Sequence, residues 1–141
     1  MTLPDAVALA IARGQFPEGD TYKVALYATD LTTVTAQTYE VANETSGTGY
    51  TAGGFTLAVG TFNPNFWGLV TTTAIYDPAD TQSGTGSTFT FQSLLIYNDT
   101  DVNDVGLYFF NAGADQIVSN GQLTIIWPTP DATNGLVRVP Q

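Results

Sequence analysis

The sequence predicts an all-β fold, a single antiparallel β-sandwich or jelly-roll-like domain preceded by a short N-terminal helix. Three observations predict it. Apolar residues recur with a period of two from Thr21 onward, as in Tyr22, Val24 and Leu26. Glycine-, serine- and asparagine-rich turns separate these runs at short intervals. No stretch alternates strands with helices in the βαβ manner, and no internal repeat or linker divides the 141 residues. A chain of this length buries roughly 68–70% of the surface exposed when unfolded, enough for one core without a covalent staple.

The elements follow in order. Residues 1–16 read as a helical arm and residues 17–141 as the β domain. Thr2 can cap the helix, Pro4 sits in its first turn, Asp5 stands three residues after the cap, and Gly14 can end it. The arm lacks a basic start, and its apolar run is too short to span a bilayer. Strands are expected around Tyr22–Tyr27, Phe55–Val59, Leu69–Tyr76, Phe89–Tyr97, Val105–Phe110, Leu123–Trp127 and Leu136–Val139. Turns or loops are expected at Thr45–Gly54, Asn63–Asn65, Thr81–Ser87, Asn98–Asp104 and Pro128–Gly135.

Composition narrows the chemistry. There is no cysteine and no histidine, so disulfides, thiolate metal sites and Ser-His or Cys-His catalysis cannot be built. The net charge is −10, and the only cations are Arg13, Lys23 and Arg138. Between residues 24 and 137 there are ten acidic side chains and no basic one. Nucleic acid and anionic membranes are therefore poor partners. Only 11% of residues are charged. A surface of Thr, Ser, Asn, Gln and Gly takes their place, and it can be buried against a partner with less desolvation penalty than a charged one.

Two acidic segments are candidate sites. Asp99-Thr100-Asp101-Val102-Asn103-Asp104 resembles the opening of a calcium loop. Asp104 stands where glycine is needed and Phe110 where a bidentate glutamate is needed, so a polar hairpin turn is expected instead. Asp77-Pro78-Ala79-Asp80 could offer a carboxylate pair for hydrolysis, but its spacing has little specificity. No catalytic residue, metal ligand or cofactor is expected. Trp127 is expected in the core, and Trp67 either in the core or on an exposed platform.

Four segments in order carry a resemblance. They are Tyr22–Tyr27, Glu44-Thr45-Ser46-Gly47-Thr48-Gly49-Tyr50-Thr51-Ala52-Gly53-Gly54, Leu95-Ile96-Tyr97-Asn98-Asp99, and Leu123–Pro128. The chain resembles a family of small structural proteins of tailed bacteriophages, with its "KVALYTS" strand, "EVSGTGYTAGG" turn, "ALIYN" strand and "TIxWP" strand. The loop from Asp77 to Ser87 departs from that pattern. On physical grounds the glycine-rich segment reads as a structural corner, with an exposed partner-touching loop as the other reading.

The resemblance implies a virion protein made in the bacterial cytoplasm. It implies a capsid decoration or cement protein that binds major capsid protein subunits, with a homo-oligomer, a trimer above all, as its symmetric form. A neck, tail or baseplate component is the alternative, and a carbohydrate-binding module a third. The expected interface residues are Leu9, Ile11 and Phe16 of the arm, with Phe66 and Trp67.

Overall fold

A computed structural model describes residues 19–31, 38–57 and 80–127. These residues form an antiparallel all-β structure. One sheet has four strands in the order β2-β1-β4-β5. They are β1 (Tyr22–Tyr27), β2 (Phe55–Thr56), β4 (Ser87–Asn98) and β5 (Gly106–Gly121). A second ladder pairs β3 (Thr81–Gln82) with β6 (Thr124–Ile125). Both contribute to one core. Tyr22, Val24, Leu26, Phe89, Phe91, Leu94 and Ile96 of the sheet cluster with Trp127, and Leu123 and Ile125 pack against them. This gives a two-layered, sandwich-like arrangement.

The strands arise for simple reasons. In β1 the even positions Tyr22, Val24 and Leu26 face the main core. Ala25 and Tyr27 face the other side, where they meet Leu95 and Tyr97 with Leu31, Tyr39 and Phe109 packed alongside. Both faces of β1 are thus covered, and its residues from Val24 to Tyr27 are buried. β4 changes parity midway. Its odd residues Phe89 and Phe91 and its even residues Leu94 and Ile96 face the same core, and the ladder register shifts between Phe91 and Ser93. A bulge there lets Phe89 and Phe91 before it and Leu94 and Ile96 after it reach the same core.

The bulge is asymmetric. Ser93 pairs with Asn111 and Phe91 with Gln116, so residues 112–115 of β5 lie opposite the single residue Gln92. Gly113 takes a φ of 74° within this excursion, and the Gln92 amide donates to the Asp115 carboxylate at 2.6 Å. β5 therefore runs past Phe110, where the sequence pattern predicts an end, and continues to Gly121. Thr81–Gln82, expected within a loop, instead form a strand. Ser83 holds the pairing, its N–H donating to the Leu123 carbonyl and its hydroxyl accepting from the Leu123 N–H. The helical arm 1–16, the strand regions 69–76 and 136–139, and the turns at 63–65 and 128–135 lie outside the described residues.

Candidate interaction surface

The glycine-rich segment and the residues before it form a corner welded to the sheet. The Thr45 N–H donates to the Leu26 carbonyl at 2.8 Å, the Thr45 hydroxyl to the Thr90 carbonyl at 3.0 Å, and the Thr88 N–H to the Thr48 carbonyl at 2.9 Å. Three glycines are needed for this close approach, Gly47 against the Thr88 carbonyl and two more at left-handed φ. At Gly49 (φ 82°) a methyl group would overlap the hydroxyl of buried Ser87. At Gly54 (φ 82°) it would overlap the Val24 carbonyl oxygen and lie 2.8 Å from the Ala25 Cα.

Glu44 closes the corner. Its carboxylate accepts from the Tyr50 hydroxyl at 2.7 Å, the Gly53 N–H at 2.8 Å and the Tyr39 hydroxyl at 2.8 Å. Tyr50 is buried, and its hydroxyl also accepts from the Leu26 N–H at 2.9 Å. Tyr97 donates to the Gly53 carbonyl at 2.8 Å and stacks on Tyr39 with ring centroids 4.6 Å apart. Burial, and then the neighbouring carboxylate charge, hold the Tyr50 and Tyr97 hydroxyls far above the ordinary tyrosine range. The segment is a rigid structural corner, as one of its two sequence readings expects.

The Asp99–Asp104 motif is committed to a turn. The Asn98 carboxamide oxygen accepts from the Thr100 and Asp101 N–H groups, and its NH2 donates to Asp20 at 2.6 Å. Asp101 accepts from the Asn103 N–H at 2.8 Å, and Lys23 pairs with Asp99 at 2.9 Å. The 98–104 segment is thus a side-chain-capped hairpin turn joining β4 to β5. Burial and the charges of Asp99 and Asp101 raise the Asp104 carboxyl above its usual range. Asp80, from the other acidic motif, accepts from the Trp127 N–H at 3.2 Å. Trp127 is 8% exposed, and its indole N–H donates to the Thr81 hydroxyl at 3.1 Å. Trp127 is a core residue, as expected.

Charge is segregated along the β4–β5 hairpin. At its turn end stand Asp20, Lys23, Asp99, Asp101 and Asp104. β4 itself carries no charge, and from Val105 to Trp127 Asp115 is the only charged residue. The end away from the turn exposes Thr88, Thr90, Gln116, Ile117, Ser119 and Asn120. Ile117 is 72% exposed there, and Phe110, nearer the turn, is 52% exposed. Such a surface gives up little solvation when covered. Leu9, Ile11, Phe16, Phe66 and Trp67, the interface residues expected from sequence, lie outside the described residues. The sequence pattern missed Ile117 because it and Val118 are an isolated adjacent pair in a polar stretch, without the alternation that marks a strand. The signal that could have found it is the near-absence of charge from 105 to 127. No family model matches the chain, and no curated protein or solved structure matches it significantly.

Proposed function

We propose that this chain is a non-enzymatic virion structural protein of a tailed bacteriophage, a capsid decoration protein that binds across major capsid protein subunits and stabilises the head. The observation that carries the reading is the charge segregation along the β4–β5 hairpin, taken with the resemblance of the four segments. The uncharged end, with Ile117 exposed, is the docking face. The acidic turn end points to solvent and keeps free copies apart by repulsion. The welded glycine corner and Glu44 hold the sheet rigid, so little conformational entropy is lost when a capsid lattice is covered. Many modest contacts then sum over repeated sites. A homotrimer is the form that suits local three-fold positions. The carbohydrate-binding alternative is weakened because Trp127 is buried in the core and Asp99 and Asp101 are engaged within the turn.

The test is the copy number in purified virions, measured by quantitative mass spectrometry against the major capsid protein. A ratio near one, or near a simple lattice fraction, is expected. A few copies per particle would move the protein to the neck, tail or baseplate. Absence from virions would overturn the reading.

A further inference from the structure

Asparagine followed by glycine is the dipeptide in which side-chain amide loss is least hindered, because no Cβ shields the attacking nitrogen. Two such pairs occur in the chain, Asn120–Gly121 and Asn134–Gly135, of which the first is described. Asn120 is exposed and adopts a left-handed φ of 46°. Its backbone N–H donates to the Thr88 hydroxyl at 2.9 Å, but among the described residues no hydrogen bond holds its carboxamide. Gly121 forms the last pair of the β4–β5 ladder, with Ser87, where strand ends open first.

Two other asparagines of the same sheet are held quite differently. Asn98 is fully buried and its carboxamide is engaged at both ends, by Asp20 and by the N–H groups of Thr100 and Asp101. The Asn111 carboxamide is clamped to the Leu31 N–H and carbonyl, at 2.9 and 2.8 Å.

We infer that Asn120–Gly121 is a site of spontaneous covalent modification, converting to aspartate and isoaspartate through a succinimide, while Asn98 and Asn111 are protected by the fold. Base removes the Gly121 amide proton, and the nitrogen attacks the Asn120 side-chain carbonyl carbon. A C–N bond forms, the carboxamide nitrogen leaves as ammonia, and a five-membered imide closes. Water then opens the imide at either carbonyl, so the balance is one water consumed and one ammonia released. Opening at the main-chain carbonyl leaves isoaspartate, which inserts a methylene into the backbone beside the Ser87 pair. Either product adds a negative charge to the uncharged end of the hairpin. The inference stands on local geometry and is independent of the proposed function.

The full chain is incubated in mildly alkaline buffer, folded or unfolded in urea, and analysed by peptide mapping with isoaspartyl methyltransferase labelling. In the folded protein the peptide holding Asn120 should lose its amide nitrogen and acquire label, while those holding Asn98 and Asn111 keep their amides. Gly121→Ala should suppress the conversion without disturbing the fold. A Cβ there meets nothing nearer than the Ser119 carbonyl oxygen at 3.7 Å, and the new methyl shields the nitrogen. An intact Asn120 in folded protein, over a time in which the unfolded sample converts, would overturn the inference. So would equal conversion in Gly121→Ala, or faster loss at Asn98 or Asn111.

Discussion

Glu44 offers the most informative perturbation, because one carboxylate ties the corner to the sheet. Replacing it with alanine removes acceptors from the Tyr50 hydroxyl, the Gly53 N–H and the Tyr39 hydroxyl. Hydrogen bonds to a charged group contribute about 1.5–3 kcal/mol each. Tyr39 is only partly buried, so water replaces much of its bond. Two bonds at the low end of the range give a loss of about 3 kcal/mol for Glu44→Ala. For a chain of this length that lowers Tm by about 10 °C. Glu44→Gln keeps the acceptor facing Tyr50 and Gly53, while its NH2 meets a Tyr39 hydroxyl that can turn to accept. Only charge assistance is lost, so this variant should cost about 1 kcal/mol. Tyr50→Phe removes the donor to Glu44 and leaves the buried Leu26 N–H without its acceptor, at about 2 kcal/mol. Urea unfolding of the three variants and of the Glu44→Ala/Tyr50→Phe double variant closes the cycle. A coupling of about 1 kcal/mol is expected if the two residues act as a unit. The reasoning is refuted if Glu44→Ala unfolds at the wild-type midpoint, or if the glutamine variant is as unstable as the alanine one.

Four further outcomes are expected. Gly54→Ala should cost about 3 kcal/mol, combining a left-handed φ with backbone overlap, whereas Gly84→Ala, which meets nothing within 4 Å, should be neutral by urea midpoint. Burial raises the hydroxyls of Tyr22, Tyr27, Tyr50 and Tyr97 above the ordinary value, so the fold favours their protonated forms. Their stabilising effect is full below about pH 10, where unfolded tyrosine titrates, and is lost from there upward by about 1.4 kcal/mol per pH unit for each; unfolding midpoints should drop together with a rise in tyrosinate absorbance, and a flat alkaline profile would contradict the burial. Thr81→Val should strand the Trp127 indole N–H, costing about 1–2 kcal/mol and shifting its fluorescence. Ile117→Glu should leave stability within about 0.5 kcal/mol, because the side chain is exposed, yet reduce incorporation into virions; normal incorporation would remove the uncharged end from the proposed docking face.

Legibility from sequence followed how each residue's environment reports itself. β1 was readable because Tyr22, Val24 and Leu26 alternate and the strand contains no bulge. The glycine corner was readable because a chain pressed against Ser87 and Val24 leaves no room for side chains at Gly49 and Gly54. The Asn98–Asp104 turn was readable because Asn and Asp satisfy a turning backbone themselves. The second half of β5 was not readable. Ala112-Gly113-Ala114-Asp115 lie opposite one residue of β4, and the exposed strand beyond them has no apolar alternation to betray it. β3 escaped for a different reason, since its pairing rests on Ser83 hydrogen bonds and on Trp127 contacts with Asp80 and Thr81, all distant in sequence.

The candidate surface shares the cause that hid β5. A strand that packs both faces into cores declares itself through hydrophobic period; the exposed second half of β5 shows polar side chains around Ile117 and Val118, the composition of a loop. Past the 112–115 excursion, Val118 is the one β5 residue among those described that packs against the main core. What the extension adds is a neutral, exposed edge carried beyond the bulge by the pairing of residues 116–118 with 89–91. Among the described residues β5 is the edge of the four-stranded sheet, and the 112–115 bulge is one of the devices that blunt such an edge against unwanted pairing. Ile117, outside the core, is the residue on which the functional proposal can be tested apart from the fold.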